Sequence, residues 1–139
     1  ITPAMPLIVQ KSGFLASTEG IEFAVHFQRK LSAGLFGGEG FLLQRLTGQG
    51  LAFVEIDGSC HLRTLAPGEV LRVDTGNLAA MDASVRMEVE TVKGFTNVLF
   101  GGEGLFLTRL TGPGRVWLQS LPAMAVAQAL IPFLPKPSN

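Results

Sequence analysis

The sequence has few of the side chains on which catalytic and metal-binding domains depend: its 139 residues include one cysteine, two histidines and no tyrosine. The lone Cys60 cannot form an internal disulfide, so the chain carries no mark of an oxidising compartment, and we expect a cytoplasmic location. Metal sites require clustered ligands, whereas His26 and His61 lie far apart in the sequence. We therefore expect no metal and no cofactor.

The usual arrangements for nucleophilic catalysis are missing as well. Cys60 adjoins His61, but neighbouring residues of a strand point to opposite faces and seldom form a catalytic pair. The sequence contains no GxSxG nucleophile elbow. We predict that the protein is not an enzyme.

An excess of charge of one sign is also absent, because eleven basic and eleven acidic side chains give no net charge. This balance removes the broad electrostatic attraction that nucleic-acid binding needs. Trp117 and the phenylalanines are expected in the core rather than stacked on bases. We expect no nucleic-acid partner.

The first residues, ITPAMPLIVQ, lack a basic segment followed by a long apolar run, so they do not resemble a signal peptide. The chain also begins with Ile1 rather than methionine. This start is typical of a processed or incomplete version of a longer chain.

The most conspicuous feature is a phrase that occurs twice: LFGGEGFLLQRLTGQG at 35–50 and LFGGEGLFLTRLTGPG at 99–114. Twelve of the sixteen aligned positions are identical at an offset of 64 residues. Alternating apolar residues precede both copies, from Ile21 and from Val85, which is typical of half-buried strands. With 17 glycines for turns, the pattern predicts one all-β domain over 1–121, containing two repeats at about 13–64 and 76–121.

The GGEG motif has a structural and a functional interpretation. A phosphate-binding loop leads from a strand into a helix, whereas strand-like sequence follows here, and the glutamate would repel phosphate. Each glutamate lies six residues before an arginine, which suggests an ion pair rather than a general acid with an anion-binding group. We interpret the motif as structural, and assign to it Gly37, Gly38, Glu39, Gly40 and Arg45 in the first copy and Gly101, Gly102, Glu103, Gly104 and Arg109 in the second.

Local signals place further elements. Asp57-Gly58, between β-rich runs, predicts a hairpin with strands near 51–56 and 59–65. Pro67-Gly68 predicts a turn before a strand near 69–74. A short helix is expected from Pro122 until Pro132, followed by a Pro-rich tail, so that 122–139 forms a separate end segment. We expect this segment to dock on the β core rather than lie on a membrane, because it lacks a basic face.

The runs Phe41-Leu42-Leu43 and Leu105-Phe106-Leu107 are consecutive apolar residues, which indicates strands covered on both faces. A single small sandwich supplies such cover with difficulty. We therefore predict a homo-oligomer.

The phrases GLFGGEGFLLQRLTGQG, APGEVLRVDTGNLAAMD and LFGGEGLFLTRLTGPGRVWLQSLP resemble the altered-inheritance-of-mitochondria family, type twenty-four, from Ile8 to Pro122. The resemblance implies a fold like that of the tryptophan RNA-binding attenuation protein, a short double-stranded β-helix or β-sandwich built from repeats. It also implies that members commonly carry another repeat upstream. It supplies no catalytic residues, and fold alone does not transfer RNA binding.

In fungi the family is associated with organisation of the mitochondrial inner membrane. The resemblance therefore favours an oligomeric scaffold with a possible membrane-associated protein partner, and a mitochondrial inner-membrane location if the source is eukaryotic. The alternative is a small-ligand-binding β module, which a deep pocket with convergent polar groups would favour. The sequence does not identify such a ligand.

Overall fold

A computed structural model describes residues 1–2, 4–29, 41–91 and 106–134 of the chain. Both GGEG motifs lie outside these residues, as do Leu105 and the last five residues of the tail. Of the residues assigned to the repeated motif, the structure therefore describes Arg45 and Arg109.

The described chain consists of eleven strands and one short α-helix, which confirms the predicted all-β class with a C-terminal helix. The strands are β1 (Leu7–Gln10), β2 (Phe14–Ser17), β3 (Ile21–Arg29), β4 (Phe41–Gly48), β5 (Ala52–Val54), β6 (Cys60–Leu65), β7 (Val70–Asp74), β8 (Leu78–Asp82), β9 (Arg86–Thr91), β10 (Phe106–Thr111) and β11 (Gly114–Gln119). Helix α1 spans Ala123–Leu130, and 3-10 turns occur at Lys11–Gly13, Thr75–Asn77 and Ile131–Phe133.

The strands form three sheets. Six strands pair in the order β3-β4-β1-β8-β11-β6, three in the order β7-β10-β9, and β2 pairs with β5. Every pairing between these strands is antiparallel. The strand predicted near 69–74 is confirmed as β7, and the turn before it closes with Glu69 N–H donating to the Ala66 carbonyl at 3.0 Å. Gly68 supplies the φ of +77° that this corner requires.

Two apolar cores lie on opposite faces of the six-stranded sheet. Ile8 belongs to the larger core and its neighbour Val9 to the smaller one, because successive strand residues point to opposite faces. The larger core packs the β7-β10-β9 sheet against the six strands, through residues such as Leu110 and Met81. The smaller core packs β2 and β5 against the other face, around Leu46.

The same strand pairings occur twice, 64 residues apart. In β3–β4, Phe23 lies opposite Leu46; in β9–β10, Met87 lies opposite Leu110. The pairing of β1 with β4 corresponds in the same way to that of β7 with β10, and β2–β5 corresponds to β8–β11, including a register irregularity in each. We call β1–β5 the first unit and β7–β11 the second unit.

The hairpin predicted around Asp57-Gly58 is wrong. Strands β5 and β6 are present, but β5 pairs with β2 and β6 pairs with β11. The Asp57 carbonyl instead accepts from Leu121 N–H at 3.2 Å, and a Cβ on Gly58 would lie 2.6 Å from Ser120 Oγ. The chain therefore uses glycine here to pass close to the end of β11.

The expected burial of β3 is also wrong. Phe23 is 47% exposed and Val25 is 66% exposed, whereas the equivalent Met87 and Val89 of β9 are half-buried. The first unit has only β2 and β5, of four and three residues, to cover this face. The second unit has the longer β8 and β11, together with β6. The alternating pattern is the same, but the opposing sheet differs in size.

The consecutive apolar residues of β4 receive cover from within the chain, because Phe41 and Leu43 point into the larger core and Leu42, between them, is half-buried. Phe41 is 2% exposed and Leu43 is fully buried. These residues therefore need no second copy to cover them. A second copy would therefore have to cover other surfaces of the chain.

The end segment differs from the predicted docking on the β core at residues 130–134, which are exposed. Asp57 Oδ2 accepts from the first helical N–H, at Ala123, at 2.8 Å, which anchors the helix N-terminus. Beyond this anchor the large apolar side chains are exposed, at Leu130, Ile131, Phe133 and Leu134. Within the described segments, no helix is long and apolar enough to span a membrane.

Candidate functional site

Arg109 of the repeated motif lies on the outer face of the β7-β10-β9 sheet. Its Nη1 is 2.9 Å from Glu88 Oε2, and its Nε is 4.0 Å from Glu90 Oε1. Arg45 has the equivalent position on β4, but the residue opposite it is Ala24 instead of glutamate. Glu39 and Glu103, the predicted partners of the two arginines, lie outside the described residues.

Charged side chains form a ladder across the outer face of the three-stranded sheet. Arg72 Nε donates to Glu90 Oε2 at 3.1 Å, and Arg86 Nη2 donates to Glu88 Oε1 at 2.7 Å. The hydrogen bond from Arg109 and the positive charge of Arg86 lower the pKa of Glu88. All these side chains are at least one-third exposed, so water screens each pair and the ladder contributes little to stability. The ladder is a solvated surface in which three arginines are paired with two glutamates.

His26 occupies a register irregularity of β3, between Val25 and Phe27. Partial burial, and then the positive charge of Arg45, lower its pKa below the ordinary value of 6.5. The folded protein therefore binds this proton less well than the unfolded chain does. Its contribution to stability is complete above pH 6.5 and is lost as the pH falls from there through the lowered pKa.

We predict that His26→Gln reduces the pH dependence of stability between pH 7.5 and pH 5.5. In the unaltered protein, the free energy of unfolding measured in urea should be lower at pH 5.5, and this difference should shrink in the variant. Arg45→Gln should shrink it to a smaller extent, since burial is the larger cause. If the difference in unfolding free energy between pH 7.5 and pH 5.5 is the same in His26→Gln, the lowered pKa of His26 is not its cause. The pKa of Glu88 is also lowered, so its contribution to stability is likewise lost as the pH falls, but only below its ordinary pKa of 4.5.

A partly open cleft of about 450 Å³ lies where the first 3-10 turn, the start of β4 and the start of α1 meet. The side chain of Gln119, which is 6% exposed, is the buried polar group in its wall. Its Nε2 donates to the Gly76 carbonyl at 2.8 Å and to Gln10 Oε1 at 3.3 Å, and its Oε1 accepts from Asp57 N–H at 3.2 Å. The Gln119 amide therefore links the first unit, the second unit and the bend before β6.

Gln119 was missed by the sequence interpretation. The only local signal is a polar residue at the end of an otherwise apolar strand, VWLQ. Its partners are 43, 62 and 109 residues away along the chain. No local pattern points to contacts of this length.

Asp82 and Arg115 form the most completely bonded ion pair of the described chain. Arg115 Nε donates to Asp82 Oδ2 at 2.9 Å, Nη2 donates to Oδ1 at 3.0 Å, and the Arg115 backbone N–H donates to Oδ2 at 2.8 Å. These bonds raise the pKa of Arg115. The guanidinium also lies 5.0 Å from the Trp117 ring centroid. In the first unit, Leu51 N–H donates to Thr18 Oγ1 at 3.0 Å in the equivalent place, without a charge pair.

Cys60 and His61 lie side by side in β6, and Cys60 is exposed. Consecutive strand positions direct these side chains to opposite faces. Across the parts of the chain that the structure describes, no group of three His, Cys, Asp or Glu residues is placed to hold a metal ion.

These features define a class: an all-β protein with two units of matching strand register, joined into one six-stranded sheet. The chain belongs to the mitochondrial biogenesis AIM24 family, whose pattern it matches over residues 2–121. No curated protein matches it.

A solved structure supports the same fold. The X-ray structure of a Streptococcus pyogenes structural-genomics protein aligns with a TM-score of 0.75 at 22% sequence identity. The alignment covers 94% of this chain and 56% of the streptococcal chain. The chain thus corresponds to little more than half the length of that protein.

Proposed function

We propose that the protein is a non-enzymatic scaffold that works by assembling with copies of itself. The observation that carries the proposal is an exposed apolar surface on the β2–β5 sheet. Leu15 is 60% exposed and Phe53 is 56% exposed, on a sheet of only seven residues. Exposed apolar surface is typical of interaction sites.

The second unit shows how such a surface is covered. Ala79 and Ala80, the equivalents of Leu15 and Ala16, are 2% and 4% exposed. The equivalent of Phe53 is Trp117, which packs on the smaller core. The first unit of the same chain covers these positions of the second unit. A further unit of the same kind would supply the same cover to Leu15 and Phe53.

The cleft gives less support to a small-ligand-binding module. Its buried amide, Gln119, already bonds to three protein groups. Convergent polar groups that await a ligand are the feature expected of such a site. Structural use of the amide therefore favours the scaffold over the ligand-binding alternative.

Native mass spectrometry of the purified chain tests the proposal. We expect masses of two or more copies at micromolar concentration, without a retained small molecule. A single-chain mass at all concentrations would contradict the scaffold. Lipid contact is a second candidate, favoured by the exposed Ile131 and Phe133. Co-sedimentation with phospholipid vesicles, lost in a chain ending at Leu121, would support it.

A further inference from the structure

The two units of the chain are joined by a single antiparallel strand pair, β1 with β8. Leu7 lies opposite Asp82, Ile8 opposite Met81, and Val9 opposite Ala80. This pairing merges three strands of the first unit with β8 and β11 of the second into one sheet, which β6 extends beyond β11. The β1–β8 pairing therefore shows, within one chain, how one unit pairs with the next.

Among the described residues, the strands equivalent to β1 and β8 in the other unit are each unpaired along one edge. By register, β7 is the equivalent of β1, since Val73 lies opposite Thr108 as Val9 lies opposite Gln44. Likewise β2 is the equivalent of β8. Within the described residues, β7 pairs with β10 alone and β2 with β5 alone. The described part of the chain thus presents a β1-type edge at β7 and a β8-type edge at β2.

For the other sheet edges, the described residues contain no equivalent edge that pairs with the other unit. The outer edges of β3 and β9 are equivalent to each other, and among the described residues neither pairs with the other unit. The edge of β6 likewise has no paired equivalent in the described chain. Only the edges of β7 and β2 have counterparts that the chain itself pairs with each other.

The burial of residues at the two edges agrees with the equivalence of β7 to β1 and of β2 to β8. Val73, at the β7 edge, is 9% exposed and belongs to the larger core, as Val9 belongs to the smaller one. Ala16, on β2, is exposed, whereas its equivalent Ala80 is buried against Val9. A small residue at this position lets a neighbouring strand approach closely.

We propose that β7 of one copy pairs antiparallel with β2 of a second copy, in the register of the internal junction. Leu71 then lies opposite Thr18, Arg72 opposite Ser17, and Val73 opposite Ala16. The Val73–Ala16 pair repeats the Val9–Ala80 pair, and Phe53, which lies opposite Ala16, extends the larger core. This inference rests on the proposed self-assembly and specifies its contact. Because the two edges differ, the contact is head-to-tail and builds rings or filaments.

Disulfide trapping tests the register. In a Cys60→Ser background, the variant carrying Ser17→Cys and Arg72→Cys places two thiols directly opposite each other, about 4.5–5.5 Å apart at Cα, which suits a disulfide. We expect covalent dimers and higher species on a non-reducing gel. The matched control carries Ser17→Cys and Asp74→Cys, two positions out of register, and should cross-link much less. Equal cross-linking of both variants would overturn the proposed register.

Charge at the same position gives an independent test. Ser17→Arg places a like charge opposite Arg72, and should raise the dissociation constant of the assembly about fivefold. Ser17→Glu at the same half-buried site should lower it by a similar factor. Circular dichroism checks that both variants fold alike. Equal effects of the two substitutions would overturn the inference.

The outcomes separate this inference from the proposed function. Oligomers that fail to cross-link between Ser17→Cys and Arg72→Cys would leave self-assembly standing and overturn the β7–β2 contact. A single-chain mass would overturn both. Cross-linked chains with opposite responses to Ser17→Arg and Ser17→Glu would support both.

Discussion

Leu110→Ala should lower the free energy of unfolding by about 3–4 kcal/mol, the largest effect that we expect from one substitution. Leu110 is fully buried in the larger core, on the middle strand of its sheet, between Leu71 and Met87. Truncation removes the transfer energy of its methyl groups and leaves a cavity that paired strands on both sides cannot close. Urea denaturation followed by circular dichroism measures the loss.

The equivalent residue of the first unit provides the matched comparison. Leu46 is also fully buried, but the smaller core around it contains only two other buried apolar residues. Its half-exposed neighbours can relax toward a cavity, so Leu46→Ala should cost about 2–3 kcal/mol. Leu62→Ala, at an exposed position of β6, should cost less than about 1 kcal/mol. A loss at Leu110 no greater than at Leu62 would show that the larger core has been misassigned.

Asp82→Ala should lower the free energy of unfolding by about 2–3 kcal/mol. The carboxylate is the acceptor of three hydrogen bonds from Arg115, two of them from the guanidinium. Bonds to charged groups contribute more than neutral ones, but Arg115 is 40% exposed and recovers part of the loss by hydration. Thermal or urea unfolding at pH 7 measures the effect.

Asp82→Thr separates the backbone bond from the ion pair. Thr18 of the first unit already shows that a threonine hydroxyl can accept from the equivalent backbone N–H. The threonine variant should therefore lose only about half as much stability as Asp82→Ala. If the two variants are equally unstable, the backbone hydrogen bond contributes little and the guanidinium contacts account for the effect.

The scaffold proposal now rests on surfaces that the consecutive apolar residues did not indicate. Phe41 and Leu43 are covered within the chain, so they do not require a partner. The edges of β2 and β7, which are unpaired within the described ranges, and the exposed Phe53 are what a second copy would cover. The consecutive apolar residues therefore do not favour self-association, whereas the edges of β2 and β7 do.

Sequence alone determined the positions of most strands, the short helix and the correspondence between residues 64 apart. Strand side chains alternate with period two, so equal patterns in two stretches demand equal registers, as Phe23–Leu46 and Met87–Leu110 show. The turn at Gly68 was equally local, because its positive φ favours glycine. The family resemblance was carried by the same local phrases.

Only the tertiary structure decided which strands are partners and which apolar residues are covered. Asp57-Gly58 has the local chemistry of a hairpin, yet β5 and β6 join different sheets because each pairs with a strand far away in the chain, β5 with β2 and β6 with β11. Phe23 repeats the pattern of Met87 but is more exposed, since the sheet opposite it is smaller. Strand pairing and burial depend on contacts between distant residues, and a local pattern supplies the strand without choosing its neighbour.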